Sequence, residues 1–261
     1  MIKEKKIKEY WNKKPCNIGF SKSKMFSKKY FDEVTKKKYF IEGHIKKFAT
    51  FKKWKNKKVL EIGFGIGTDA CQFIKNGANY TGLELSDKSY EILKNRINVY
   101  KLNKYKSRLI LGSALNLSKI FKKNRDKFDL IYSWGVLHHT SSLQKAANQI
   151  SKIANKNTEV RIMLYAKNSY KNQMLDITSY RYEAQAGVPK CDTVSIEDVK
   201  RIFSKFKIIN FYQDFIFPYK IKPYKDNIYK KIDHFDNMPK KIFKRLESIL
   251  GEHLMIKMKL K

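Results

Sequence analysis

The sequence predicts an α/β domain organised around a mostly parallel sheet, and three observations carry the prediction. Short apolar runs bounded by charge, beginning with Val59-Leu60-Glu61-Ile62, recur along the chain. Helix-length stretches separate them. A glycine-rich turn, Gly63-Phe64-Gly65-Ile66-Gly67, joins the first run to the helix behind it. An apolar run without polar alternation is a strand covered on both faces, and strands alternating with helices give crossover units and a parallel sheet.

Residues 1–14 form a polar, helix-leaning arm carrying Tyr10 and Trp11, and residues 30–54 read as mixed apolar and basic helix ending at Trp54. The first strand covers 57–62. The helix after the glycine turn runs from Thr68 to Lys75, where Asn76-Gly77 supplies a C-cap. Asn79–Leu85 is a second strand, and Ser86-Asp87 caps a helix over 87–100. Arg108–Leu111 and Phe128–Ser133 are the third and fourth strands, Ser141 starts a helix to Ile153, and Glu159–Tyr165 is the fifth strand. The alternation then lapses, and 166–194 is polar and irregular. Ser195 with Glu197 and Asp198 behind it caps a helix reaching Ser204. Phe206–Gln213 is a sixth strand, 214–249 is aromatic and basic, and Leu254–Leu260 is a closing seventh.

Composition narrows the classes. With 261 residues, 42% of them hydrophobic and 14% aromatic, the chain can bury a core. Eleven glycines and five prolines leave no low-complexity linker, so one structural domain is expected. The segment Met1–Trp11 lacks the apolar centre of a signal peptide, and no stretch approaches the roughly 18 apolar residues of a membrane span, which points to the cytoplasm. Cys16, Cys71 and Cys191 lie far apart, without CxxC or CxxH spacing, so neither a disulfide framework nor a metal site is expected. The formal charge of +33 comes from 57 Lys+Arg against 24 Asp+Glu. Two readings stay open: a nucleic-acid or anionic-membrane partner, or the coding bias of an AT-rich genome. Lysine dominates the excess and is spread over the whole chain, as coding bias would leave it. Either way the field favours anionic partners and weakens with salt.

The strand–glycine turn–helix unit is the strongest chemical signal. Its glycines allow a tight turn and a close ligand approach, and the helix N-terminus beyond offers free N–H groups. The same unit serves dinucleotide enzymes, but here Thr68 stands where a third spaced glycine would be. Glu61, two residues before Gly63, can pair with a ligand's ammonium group. Glu84, closing the second strand, can accept from both hydroxyls of a ribose.

At this point the sequence resembles a family. Val59–Thr68 is similar to motif I of class I S-adenosylmethionine (SAM)-dependent methyltransferases, and Thr81–Ser86 to their second-strand motif. Leu111-Gly112-Ser113-Ala114 resembles the motif that meets the adenine, with Ser113 in place of the common Asp. Phe128–Thr140 resembles the fourth-strand motif of the small-molecule branch. The resemblance implies a Rossmann-like fold with a seven-stranded sheet and SAM as cofactor. It divides the chain into a helical arm or lid (1–56), a SAM-binding core (57–165), and a part holding the substrate loop, the last strands and an aromatic, basic insertion (166–261). It further implies a cofactor site drawn from Glu61, Gly63, Phe64, Gly65, Gly67, Thr68, Asp69, Glu84, Leu85, Ser113, Ala114, Ser133 and Trp134.

Methyl transfer from a sulfonium is an in-line displacement that needs alignment and water exclusion, and a base only where the acceptor has a proton to lose. His138 and His139 follow the fourth strand and are the catalytic candidates, with a purely structural role as the competing reading. Tyr165, Lys167 and Asn168 follow the fifth strand, and Tyr10 and Trp11 sit on the arm; these are substrate-pocket candidates, with Glu183 and Gln185 weaker ones. The stretch Ser133-Trp134-Gly135-Val136 is unlike the Asn/Asp-Pro-Pro-Tyr/Phe run of base-amine methylating enzymes, and no nucleic-acid module appears. A small-molecule acceptor, with the charge favouring an anionic one, is therefore expected. The alternatives are an RNA-directed methyltransferase using the basic surface and a non-catalytic nucleotide-binding protein.

Overall fold

Residues 3–122, 126–177 and 187–261 are described by the structure, a computed structural model. Strand β1 (Lys58–Ile62) lies at the centre of the sheet. It pairs in parallel with β2 (Asn79–Glu84) on one side and β4 (Leu130–Trp134) on the other. Beyond β2 lies β3 (Ser107–Leu111), and beyond β4 lies β5 (Glu159–Ala166), both parallel to their neighbours. A two-residue strand, β6 (Thr193–Val194), pairs with the end of β5. The sheet closes with β7 (Phe206–Asp214) and β8 (His253–Leu260), β8 being antiparallel to both β5 and β7. The order is β3-β2-β1-β4-β5-β8-β7, which gives the expected seven-stranded, mostly parallel α/β fold with β6 as an accessory. Strand order reverses between β1 and β4, and open α/β sheets bind ligands beyond the carboxyl ends of the strands at such a point.

Alternate residues of each strand serve opposite faces. Leu60, Ile62, Ile131, Ile162 and Leu164 enter one core, and Val59, Leu130, Tyr132 and Met163 enter the other. Burial on both faces explains why these strands read as unbroken apolar runs. The helices in chain order are α1 (Glu4–Lys13), α2 (Lys28–Ile41), α3 (His44–Ala49), α4 (Thr68–Lys75), α5 (Asp87–Val99), α6 (Leu117–Ile120), α7 (Leu143–Ile153), α8 (Tyr170–Ile177), α9 (Ile196–Ile202), α10 (Ile221–Lys225), α11 (Asp233–Asp236) and α12 (Lys240–Leu250). Serine caps act where the sequence put them: Ser86 accepts from Ser89 N–H, and Ser195 forms a capping box with Asp198.

Three stretches differ from expectation. The single helix expected over 30–54 is broken into α2, α3 and a 3-10 turn. Glu42 leaves helical geometry ahead of Gly43, a weak helix former, and Thr50 ends α3 in the left-handed region. The segment 166–194, expected to be irregular, contains α8 and β6. The aromatic, basic segment between β7 and β8 carries three short helices, and its Phe215, Phe217 and Tyr224 form a separate apolar cluster. Among the described residues, no helix is long and apolar enough to cross a membrane.

Candidate active site

The carboxyl ends of β1, β2, β4 and β5 converge on one cavity of about 450 Å³. At Gly65 the backbone adopts φ +54°, and no atom of the described residues lies within 4 Å of where a Cβ would stand, so the turn presents bare backbone to the cavity. Glu84 closes β2 beneath this turn. One of its oxygens accepts from Gly65 N–H at 2.8 Å, and the other from Leu85 and Ser86 N–H, each at 2.9 Å. Burial raises the Glu84 carboxyl above its usual range, against these three N–H donors, which favour the charged form.

Glu61 is buried at the end of β1 and accepts from Tyr80 OH at 2.7 Å. Burial, with the nearby Asp69 second, pushes its carboxyl up to about 8. Asp69, in the first turn of α4, accepts three hydrogen bonds, from Lys38 Nζ (3.0 Å), Tyr39 OH (2.8 Å) and Tyr132 OH (2.9 Å). Burial works against the Lys38 charge, but Asp69 and Glu42 together hold its ammonium above the usual lysine value. Asp69 thus ties α2 and β4 to the glycine turn. Arg96, wholly buried on α5, does the same from the other side. It donates to Ile66 O at 3.0 Å, Thr68 Oγ1 at 2.9 Å and Phe31 O at 3.2 Å.

Helix α1 lies across the cavity. Its Lys8 and Asn12 hold Asp87 at 2.9 and 3.1 Å, and Ser86 Oγ donates to Asn12 Oδ1 at 2.8 Å. Glu4 accepts a short hydrogen bond from Ser113 Oγ. Trp11 meets the His139 ring edge-on, with centroids 5.2 Å apart. The far wall is aromatic, formed by Trp134, Tyr165, His253, Phe215 and Phe217.

Of the residues singled out from sequence, Tyr10, Trp11, Glu61, Gly63, Phe64, Gly65, Thr68, Asp69, Glu84, Leu85, Ser113, Ala114, Trp134, His139 and Tyr165 border this cavity. Four others do not. Gly67 is the N-cap of α4 at φ +78°, where a Cβ would meet Leu93 Cδ1 at 2.2 Å. Ser133 is fully buried and donates to Ile62 O at 3.0 Å. The Asn168 carbonyl accepts from Gln213 at 3.0 Å. His138 is sealed behind His139, with 0% of its surface exposed. Lys167 is exposed and pairs through its backbone N–H with Val194 O at 2.9 Å. Glu183 and Gln185 lie outside the described residues.

Other polar groups at the cavity carried no sequence signal, because they come from distant segments. Glu42, Lys171, Glu252 and His253 border it. Lys171 Nζ lies 2.5 Å from Glu252 Oε2, and His44 and His253 share a 2.8 Å hydrogen bond. Burial pushes Glu42 up to about 7 and pulls His139 down to about 4. The fold also gathers His138, His139 and Cys191, with one donor atom of each within 4.8 Å of the others. Spacing along the chain, which argued against a metal site, says nothing of such a meeting between residues about fifty positions apart.

The arrangement suits SAM. An open glycine cradle, a buried carboxyl that an ammonium would recharge, and a second carboxylate with acceptor capacity left for hydroxyls stand around one cavity. Comparison with known proteins points the same way. A family model described as a methyltransferase domain matches residues 34–207. A comparison with curated proteins returns no match. Among solved structures, magnesium protoporphyrin IX methyltransferase from Synechocystis PCC 6803 superposes with a TM-score of 0.64 at 9% identity, over 99% of this chain and 100% of that one. A SAM-dependent methyltransferase from Anabaena variabilis gives 0.64 at 13% identity, covering 100% and 96%. One from Clostridium acetobutylicum gives 0.55 at 15%, covering 88% and 98%. Identities this low show a shared fold. The family match, which spans well over half the chain, shows more: the chain belongs to the methyltransferase domain family and is a SAM-dependent methyltransferase.

Proposed function

We propose that the protein methylates a small, ring-bearing acceptor held between the glycine turn and the aromatic wall. The observation that carries this reading is the cavity at the carboxyl ends of the strands. Its volume of about 450 Å³ falls in the range of small-ligand sites, and α1 lies over it. Trp134, Tyr165, Phe215 and Phe217 line it with aromatic side chains. The wall is not a cationic surface. Glu4, Glu42, Glu61, Asp69, Glu84 and Glu252 border the cavity against Lys13, Lys14, Lys38, Lys171 and Lys225. The net charge of +33 is therefore not focused here, and the lining gives no support to an anionic acceptor.

SAM supplies an electrophilic methyl on a sulfonium and leaves as S-adenosylhomocysteine (SAH). The chain's own residues do the rest. Glu61 holds the amino-acid ammonium and Glu84 the ribose hydroxyls. Leu85 and Ala114 pack on the adenine, beside Ser113 and Glu4. Tyr10 and Trp11 on α1 exclude water and, with Tyr165, hold the acceptor in line. His139 is the member of the histidine pair that borders the cavity, and burial keeps its ring neutral at pH 7. It is the group placed to take a proton from an acceptor hydroxyl or thiol, and His138 supports it from behind.

The test is thermal unfolding with SAH, with NAD as the control. Ligand at about 100-fold over its Kd stabilises by about 2.7 kcal/mol. A rise of several degrees with SAH alone is expected, followed by turnover in a screen of ring-bearing acceptors. A rise with NAD alone would overturn the cofactor assignment. SAH binding combined with methylation of RNA alone would overturn the acceptor class.

A further inference from the structure

The turn after β4 holds a buried polar group that does not border the cavity. His138 is 0% exposed, and neither of its ring nitrogens has a hydrogen-bond partner among the described residues. A neutral imidazole carries one N–H donor and one lone pair, and burying both unpaired is costly. Such a group in a native protein calls for an explanation, and an ion is one of the few available. The neighbours of His138 are metal-binding groups. His139 and Cys191 bring one donor atom each to within 4.8 Å of it and of each other.

Local structure holds this trio together. Cys191 follows a stretch remote in sequence, but hydrogen bonds on both sides of it fix the segment to the histidine turn. Lys190 O meets His139 Nδ1 at 2.7 Å, and Asp192 N–H donates to His138 O at 2.9 Å. The His139 ring therefore already makes the backbone-carbonyl contact by which metal-bound histidines are oriented through their second nitrogen. A neutral imidazole has one ring-nitrogen lone pair to give to a metal. Lys171, whose ammonium lies over the Tyr165 ring, is paired with Glu252, and a cysteine thiolate would add negative charge beside it.

We propose that His138, His139 and Cys191 form a Zn²⁺ site in the wall of the cavity, with three protein donors and a fourth position facing the acceptor. Imidazole and thiolate are zinc's preferred donors, and three protein ligands with one open position is the pattern of a reactive zinc site. At bond lengths of about 2.0–2.3 Å, tetrahedral donors stand roughly 3.3–3.8 Å apart, so the trio has to draw in by about 1 Å. On binding, the Cys191 thiol gives its proton to solvent and the sulfur bonds the metal as thiolate. Of the three ligands His139 borders the cavity, which is the side from which an acceptor would reach the open position. In this state His139 is a ligand and not a base. A water, hydroxyl or thiol bound at the fourth position is acidified by the metal instead.

The site is tested without cofactor or acceptor, so its failure is separate from failure of the methyltransferase assignment. Protein stripped with a chelator is titrated with Zn²⁺ against a chromophoric competitor, and with Co²⁺ by absorption. The expected result is one metal per chain and a thiolate-to-cobalt charge-transfer band. Cys191→Ser should abolish the band and weaken zinc at least tenfold, and His139→Gln should weaken it similarly. Cys16→Ser should change neither. Replacing fully buried His138 risks the fold, so the half-buried Cys191 carries the decision. Absence of stoichiometric binding, a band that survives in Cys191→Ser, or one lost in Cys16→Ser would each overturn the proposal.

Discussion

At Gly65 a methyl group would point into open cavity, whereas at Gly63 it would stand 2.4 Å from Val136 Cγ2. The two glycines of one turn therefore fail in different ways. Gly65→Ala should lower SAH affinity at least tenfold while shifting the unfolding midpoint by only a few degrees, the cost of a non-glycine residue at positive φ. Gly63→Ala must displace Val136 and should lower both. Calorimetric titration beside a melting curve checks the pair. Glu84→Gln puts an amide N–H₂ against Gly65 N–H or against Leu85 and Ser86 N–H, and it removes a charged acceptor. Loss of one hydrogen bond to a charged group is worth about 1.5–3 kcal/mol, so SAH affinity should fall by roughly tenfold or more. His139→Ala should leave SAH affinity intact and reduce turnover by at least about tenfold, the low side of what a proton-transfer or metal-held group contributes. Unchanged turnover would reduce the histidine pair to scaffold.

Helix α1 acts at the scale of an element. It is held by Asp87, Ser86 and Ser113, all on loops or caps of the core, and it sets Trp11 against His139. Trp11→Ala removes an edge-to-face contact worth about 0.5–1.5 kcal/mol, so the SAH dissociation rate should rise by roughly threefold to tenfold in stopped-flow displacement. An unchanged rate would mean that α1 does not retain the cofactor. The sequence showed that an aromatic arm precedes the core, but not where it lies, because a polar helix carries no partner in its pattern. The core was more legible. The central strands β1, β4 and β5 announce themselves by unbroken apolar runs, because both of their faces are buried, and the caps at Ser86 and Ser195 mark helix starts by local chemistry alone. The glycine-turn side of the cavity was legible because it is local: Glu61, Gly65 and Glu84 lie within one strand–turn–helix–strand unit and all border the cavity. The acceptor side was not. Glu42, Lys171, Glu252 and His253 come from separate segments, and only the fold brings their charges together. Cys191 escaped in the same way.

Across the whole molecule, buried titratable groups set two opposing dependences on pH. Burial holds His44 and His139 down to about 4, so unfolding makes these rings bind protons below their free value of 6.5. Stability from this source is present above about pH 6.5 and is lost as pH falls towards 4. Burial holds Glu42 up to about 7 and Glu61 up to about 8, so the folded chain keeps protons that the unfolded chain sheds near 4.5. Stability from the glutamates is present below 4.5 and is lost as pH rises through 7 and 8. Above roughly pH 7.5 the unfolded imidazoles have lost their protons and the glutamates dominate, so the ligand-free protein should melt at falling temperatures from about pH 7.5 to 8.5. An ammonium beside Glu61 favours its charged form, so cofactor binding at pH 7 must release a proton from that carboxyl. Affinity for SAH should then rise with pH between about 6 and 8, by at most about tenfold per unit. Calorimetric titrations at pH 7 in two buffers of different ionisation enthalpy should count close to one proton released per SAH bound, and Glu61→Gln should abolish the release. Zero protons released by the unaltered protein would mean that no ammonium meets Glu61, and the methionine end of the cofactor would have to be placed elsewhere in the cavity.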